Sequence, residues 1–235
     1  LNGPFDQPRW TLETAALMAR VGLYRQALIE FDRLCKISAT NATVQLWREN
    51  MAVMTRLRLG DAEAAETQAL ALQQKFPKEE IAFEALTQVY LVTGRVTNAL
   101  ANVERQLELN STNVSALLNK AAFQMQLQQF PEAILTLDRL LAVQPQNQAA
   151  LLNRAIAQLQ DNRLAKAQQD YLVLQKAAPE APVVLYGLAE IAYRQTNHTA
   201  ALSHYEKYLK FAPKETDEYK AVEKRVKELR GGPKT

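Results

Sequence analysis

Residues 114–147 read VSALLNKAAFQMQLQQFPEAILTLDRLLAVQPQN and contain two helical segments joined by a short turn. The first segment is predicted to span about 115–128. Residues 129–131 form the turn, because Pro131 suits the first turn of a helix. The second segment carries one apolar stripe with helical period: Ala133, Leu137 and Leu140. Pro145 ends this segment, since proline cannot continue a helix. The stretch is therefore predicted to be a helix-turn-helix unit.

The same unit recurs along the chain every 34 residues. One alanine of the second helix marks the register: Ala65, Ala99, Ala133, Ala167 and Ala201. Proline follows at Pro77, Pro145, Pro179 and Pro213, with Ser111 in the remaining slot. Another small residue marks the first helix: Ala15, Thr87, Ala121, Ala155 and Ala189. Small residues on both helices indicate a close antiparallel crossing, and a fixed period of this kind predicts a stacked repeat array.

The register defines the expected boundaries. Ala27 precedes Ala65 by 38 residues, so four extra residues lie near 37–44. We expect one domain over 1–235, with repeats at about 8–41, 46–79, 80–113, 114–147, 148–181 and 182–215. A last apolar stripe consists of Tyr219, Val222, Val226 and Leu229. This stripe predicts a capping helix at 216–230 and a tail at 231–235, because the end of a solenoid needs a polar outer face.

At this point the chain resembles the tetratricopeptide repeat family. The residues that match the family pattern in the fourth repeat are Leu117, Ala121, Phe130, Ala133, Leu137 and Pro145. Gln128 stands where glycine is usual, and Lys120 and Arg154 replace a common leucine. The resemblance implies an all-α fold, a right-handed α-solenoid of antiparallel helix-turn-helix repeats. It also implies that the first helices line a concave groove that binds a peptide or a partner protein.

Composition and motifs argue against other functions. The net charge is +3, and charges of both signs mix near the C-terminus, whereas a nucleic-acid binder carries a basic stripe. The sequence has no glycine-rich phosphate loop and no Cys/His set with metal-ligand spacing. His198 is interpreted as a turn residue and Cys35 as a packing residue. We expect no nucleic-acid partner, cofactor, metal or enzymatic activity.

The start of the chain gives little information on its location. It begins with Leu1, and its first ten residues lack a signal pattern. No apolar run approaches the length needed to span a bilayer. We expect a soluble piece of a longer protein whose targeting or anchoring segment lies upstream, and both cytoplasm and periplasm remain open.

The resemblance implies which side chains face the groove. The candidate binding residues are Glu84, Gln88, Leu118, Asn119, Met125, Leu152, Asn153, Ile156, Tyr186, Glu190, Tyr193 and Arg194. Asn119 and Asn153 are one period apart and are similar to the asparagine ladders of some family members, although asparagine is also simply common at this position. The apolar members either form a binding surface or contact a neighbouring helix.

The family's carboxylate clamp is absent. The clamp positions around Asn119 hold Glu84, Gln88, Ala149 and Asn153, and none is a cation. We therefore expect no binding of acidic chaperone tails.

The phase of the second repeat is ambiguous. Counting back from Pro77 places Trp47, Met51 and Met54 in the groove, whereas counting forward from Trp47 places them in the core. We favour the core, because the alternative turns Arg56 inward.

Three functional hypotheses follow. The leading one is a scaffold for protein–protein interaction that binds its partner in the concave groove. A second is a self-association module that forms a homo-oligomer through exposed apolar surface. A third is a regulatory arm whose catalytic or anchoring part lies outside this sequence.

Overall fold

A computed structural model describes residues 8–37 and 40–231, and every regular element in these ranges is an α-helix. The chain divides into two compact units, Leu1–Ser111 (unit 1) and Thr112–Thr235 (unit 2). The helices of unit 1 are α1 (Pro8–Arg20), α2 (Tyr24–Ile37), α3 (Ala42–Arg58), α4 (Ala62–Lys75), α5 (Glu80–Val92) and α6 (Val96–Leu109). The expectation of one domain over 1–235 stays a prediction.

Unit 2 continues the pattern of paired helices. Its helices are α7 (Val114–Gln126), α8 (Phe130–Val143), α9 (Gln148–Gln160), α10 (Leu164–Ala177), α11 (Pro182–Arg194), α12 (His198–Phe211) and α13 (Asp217–Arg230). Each first helix packs against the second helix of its own repeat, and α8 and α10 also pack against the first helix that follows. The first helices contact one another in sequence, α7 with α9 and α9 with α11. The predicted all-helical repeat fold is confirmed.

The close helix crossing is confirmed by complete burial of the small residues. Ala65, Ala99, Ala133, Ala167 and Ala201 have no solvent exposure. Their counterparts on the first helices are also buried: Ala15, Thr87, Ala121, Ala155 and Ala189. Because protein interiors are close-packed, a longer side chain at either site would push the two backbones apart.

The turn inside each repeat keeps one backbone conformation even where the residue changes. Gly60 and Gly94 have φ of 81° and 70°. One period further on, Gln128, Asn162 and Thr196 adopt φ of 59°, 57° and 58°. Left-handed geometry is unfavourable for residues with a side chain. Gln128 therefore replaces the usual glycine without changing the conformation of the turn.

The second repeat absorbs its four extra residues in α3. This helix has 17 residues, whereas α5 has 13. Met51 is buried in a core cluster with Phe31, and Trp47 and Met54 pack against that cluster. The favoured core placement of these side chains is confirmed. Arg56 is exposed, as that placement requires.

A polar position recurs inside the hairpins, three residues after each marker alanine. It holds Gln68, Asn102, Thr136, Asp170 and His204. The first four bond to the first helix of their own repeat, for example Asn102 Nδ2 to Thr87 Oγ1 at 2.8 Å and Thr136 Oγ1 to Gln124 Oε1 at 2.8 Å. These bonds satisfy polar groups that burial would otherwise penalise. At His204 the Nδ1 atom has no such bond among the described residues.

Arg154 joins three helices of unit 2. Its guanidinium donates to both carboxylate oxygens of Asp170 on α10, each at 2.7 Å. It also donates to Asp138 on α8 at 2.7 Å. These two carboxylates raise the pKa of Arg154, and the bond to Asp170 contributes most. The charge that replaces the usual leucine is therefore neutralised locally, and it ties the fourth and fifth repeats together.

The predicted capping helix forms as α13. Thr216 caps its start by accepting a bond from the Tyr219 N–H at 3.2 Å. Val222 and Val226 are buried, and Tyr219 and Leu229 pack against the same cluster of α11 and α12. The stripe of the predicted cap is thus confirmed. Most of the predicted tail lies outside the described residues, as do Leu1 to Gln7. In the described ranges, no helix combines the length and apolarity that a membrane span requires.

Removing the Arg154 side chain tests the junction between the fourth and fifth repeats. In Arg154→Ala the nearly buried carboxylate of Asp170 loses its countercharge, so the free energy of unfolding should fall by about 3 kcal/mol. Urea titration followed by circular dichroism measures this change. The control is Arg163→Ala, which removes an exposed pair with Asp161 and should cost less than about 1 kcal/mol. Equal losses in both variants would contradict this role.

Candidate peptide-binding surface

Two of the predicted site residues lie in unit 1. Glu84 and Gln88 of α5 are both exposed. The pKa of the Glu84 carboxyl is raised, mainly because nearby atoms remove part of its hydration and also because Glu80 repels its charge. This carboxyl is accessible, yet it lies close to the packed surface of the unit.

The other ten residues belong to unit 2, where two asparagines lie on neighbouring first helices. Asn119 of α7 and Asn153 of α9 are both half-buried, and α7 contacts α9. Among residues 8–37 and 40–231, neither side-chain amide has a hydrogen-bond partner. A primary amide carries two donors and one acceptor. Both groups therefore retain their full capacity to bind a ligand.

Apolar side chains flank the two amides. Leu118 precedes Asn119, Leu152 precedes Asn153, and Ile156 lies about one turn further along α9. All three apolar side chains are half-buried. Partly exposed apolar groups next to unpartnered amides give a surface that can hold apolar side chains and bond to a backbone.

Two other apolar residues are turned toward the interior. Met125 packs against Ala133, Ile134 and Ala157. Leu159, near the end of α9, is buried. These two side chains therefore contact neighbouring helices instead of forming a binding surface.

Glu190 differs from the expectation that it faces a partner. It is only 9% exposed. Its Oε1 accepts a bond of 2.5 Å from the Tyr205 hydroxyl and another of 2.5 Å from Arg225 Nη1. The carboxylate is thus neutralised inside unit 2 and is not presented at the surface. The sequence alone did not reveal this, because Arg225 lies 35 residues further along the chain.

Arg225 was not identified from the sequence, although a signal exists. It lies one period after the buried Ile191 of α11, so α13 occupies the register of a further first helix. Its guanidinium stands over the ring of Tyr193 at 4.8 Å. Tyr193 remains 37% exposed. Cation–π contact of this kind holds an aromatic ring in one orientation.

The remaining residues of the sixth repeat have mixed roles. Tyr186 is half-buried, and its ring lies 6.4 Å from Tyr205 and 5.7 Å from Tyr208. Burial and the charge of Glu190 raise the pKa of Tyr186. Arg194 Nη1 donates to the Leu159 carbonyl at 2.7 Å and so satisfies a group in the last turn of α9.

Groups suited to other chemistry are scattered. Cys35 is half-buried and packs against the core of unit 1, and burial raises the pKa of its thiol. Within the described residues, no group of three His, Cys, Asp or Glu side chains is close enough to hold a metal ion.

Two family models match the chain, and both are described as tetratricopeptide repeat. One matches residues 124–182 and 174–216, and the other matches residues 91–150. No curated protein matches the chain significantly.

Several solved structures are similar in fold. MamA 41-end from Desulfovibrio magneticus RS-1 has a TM-score of 0.65 and 18% identity, covering 71% of this chain and 94% of that one. PilW, described as a widely conserved type IV pilus biogenesis factor, has a TM-score of 0.67 and 17% identity, covering 82% and 88%. YrrB, described as a TPR protein with an unusual peptide-binding site, has a TM-score of 0.67 and 15% identity, covering 84% and 97%.

Replacing Arg225 tests how the capping helix is held. In Arg225→Ala the buried Glu190 carboxylate loses its countercharge, so we expect a loss of about 2 kcal/mol of stability and faster hydrogen exchange in α13. Mass spectrometry of exchanged peptides measures the second effect. Arg230→Ala removes a more exposed pair with Glu206 and serves as the control, with a loss below about 1 kcal/mol. Unchanged exchange in α13 of Arg225→Ala would contradict the anchoring role.

Proposed function

Because the chain belongs to the tetratricopeptide repeat family, whose fold suggests a scaffold for protein–protein interaction, we propose that it is a non-catalytic scaffold that binds an extended peptide segment of a partner protein. The binding surface is the solvent-facing side of the first helices α7, α9 and α11 in unit 2, which the resemblance identifies with the concave groove. The observation that carries the proposal is the pair of unpartnered amides, Asn119 and Asn153, on neighbouring helices.

The chemistry of the amides favours a peptide backbone as the ligand. Each asparagine can donate to a backbone carbonyl and accept from a backbone N–H at the same time. Such bonds do not depend on the ligand's side chains. Leu118, Leu152 and Ile156 offer adjoining apolar surface for those side chains, which adds affinity and some selectivity.

The charge of this surface favours an uncharged ligand segment. The family's clamp positions around Asn153 hold Leu118, Ala122, Val183 and Gly187, and none is a cation. A terminal carboxylate would therefore find no charge-assisted donor there. Absence of binding to acidic chaperone tails and to nucleic acid remains a prediction.

One solved structure of similar fold belongs to a protein described as binding a peptide. YrrB, a protein of similar fold, is described as having an unusual peptide-binding site. PilW is described as a pilus biogenesis factor. At 15% and 17% identity these likenesses support the fold, and the ligand must be argued from the residues of this chain.

A peptide array tests the proposal. The probes are nine-residue peptides with blocked ends, one set built from uncharged residues and matched sets containing Asp/Glu or Lys/Arg. We expect binding to the uncharged set, and we expect Asn119→Ala with Asn153→Ala to weaken it about 10- to 30-fold, because two hydrogen bonds are lost.

The control for the array is Gln146→Ala with Gln169→Ala, which removes two exposed amides elsewhere in unit 2. Circular dichroism checks that both double variants stay helical. If no peptide of any set binds, or if the asparagine variant binds as the wild type does, the proposed site is wrong.

Self-association is a second candidate, favoured by one observation on α1. Leu17 is 58% exposed, whereas the residues at its register position in the third to sixth repeats are buried: Val89, Phe123, Ala157 and Ile191. Val21, directly after the end of α1, is 64% exposed. Within the part of the chain that the structure describes, these two residues therefore give the C-terminal end of α1 exposed apolar surface.

Light scattering tests this second candidate. If α1 mediates dimerisation, the mass should double as concentration rises through the micromolar range, and Leu17→Lys should restore the monomer because a charge cannot be buried in an apolar interface. Ile29→Lys changes another exposed residue of the same unit and is the control. A monomeric mass at all concentrations would exclude self-association through α1.

A further inference from the structure

The series of amides on the first helices is interrupted at the sixth repeat by a glycine. Gly187 of α11 lies one period after Asn153, and Asn153 lies one period after Asn119. A Cβ atom placed on Gly187 would lie 2.2 Å from Cζ of Tyr171 and 2.5 Å and 2.6 Å from its two Cε atoms. The tip of the Tyr171 ring therefore occupies the space where the asparagine side chains begin on α7 and α9.

The contact between the Tyr171 ring and position 187 explains why a tyrosine and a glycine occur at these two positions. Tyr171 belongs to α10, the second helix of the fifth repeat, and its counterpart in the fourth repeat is the shorter Leu137. A leucine ends inside the core, whereas a tyrosine extends further by the length of its ring. Only glycine leaves room for that ring at 187, because any Cβ would overlap it.

In the described part of the chain, the Tyr171 hydroxyl has no hydrogen-bond partner, although it belongs to a buried residue. The side chain is only 2% exposed. Among residues 8–37 and 40–231, no hydrogen-bond partner of this hydroxyl is found. Burial, and then the proximity of Tyr186, raise the pKa of Tyr171, so the hydroxyl keeps its proton at neutral pH. The hydrogen-bonding capacity of this hydroxyl therefore remains available to a ligand.

We propose that the Tyr171 hydroxyl, delivered past Gly187, is the third member of the Asn119–Asn153 series and binds the backbone of the same extended, uncharged peptide. The inference rests on the proposed peptide-binding function. It adds one residue that contacts the peptide, the path of the peptide across the helices and the length of the bound segment. Like an amide, a hydroxyl can both donate and accept a hydrogen bond. Its ring is fixed between α10 and α11, so little side-chain entropy is lost when it binds.

The spacing of the three groups sets the length of the ligand. Packed neighbouring helices are roughly 8–10 Å apart. An extended chain rises about 3.3 Å per residue. One member of the series therefore meets about every third residue of the peptide, and three members span about seven residues. The segment runs from Asn119 on α7 to Tyr171 beside α11.

An ester scan tests the third position directly. The probe is the tightest-binding uncharged nonapeptide from the array, in which each backbone amide is replaced in turn by an ester that removes the N–H and weakens the carbonyl. In the wild type we expect three sensitive positions, three residues apart. In Tyr171→Phe, which keeps the ring against Gly187, we expect about five-fold weaker binding and loss of sensitivity at one end of the segment only.

The matched control is Tyr208→Phe, which removes another buried tyrosine hydroxyl of unit 2, on α12. It should leave both affinity and the ester pattern unchanged, and thermal melting checks that both variants stay folded. If Tyr171→Phe gives the wild-type affinity and pattern while the double asparagine variant still loses binding, the inference on Tyr171 is overturned and the proposed function stands. If the wild type binds no array peptide, the proposed function fails and this inference fails with it.

Discussion

The rest of the structure depends on the close crossing of the two helices in each hairpin. The marker alanines of the second helices are fully buried against small residues of the first helices. Because the two backbones approach so closely, the larger side chains of a first helix lie on three other sides of it. These sides face its own second helix, the neighbouring repeat and the solvent. The solvent-facing side is the one on which Asn119 and Asn153 lie.

One recurrent polar position inside the repeats is satisfied in four of its five instances. The recurrent polar position of the second helices bonds to the adjacent first helix at Gln68, Asn102, Thr136 and Asp170. Arg154 extends this principle across two repeats through Asp138. Such directional contacts fix which turn of one helix meets which turn of the next, whereas apolar contacts alone permit a slip. Against this background, an unpartnered Asn119, Asn153 or Tyr171 is an exception with a candidate use.

In the C-terminal part of unit 2, two residues at equivalent repeat positions have different roles. Ile191 is buried inside the repeat array, whereas Arg225 at the next equivalent position lies on the last described helix and stays partly exposed. An arginine tolerates this site because its stem packs while its head pairs with Glu190 and stacks on Tyr193. Helix α13 therefore rigidifies the end of the proposed surface, and its Arg225 keeps Glu190 away from solvent.

The sequence by itself determined the helices and their pairing, because a 34-residue period and the size of Ala133 or Ala121 depend only on local geometry and on steric fit. It also placed Asn119 and Asn153 on equivalent sites. The face proposed to bind a partner came from the resemblance to the tetratricopeptide repeat family. Only the tertiary structure decided which outward positions are free. Glu190 is withdrawn by Arg225 from 35 residues away, and the Gly187 position is filled by the ring of Tyr171 from another helix. Contacts between side chains of different helices depend on how the helices pack. The repeat register gives only the position of each residue in its own helix.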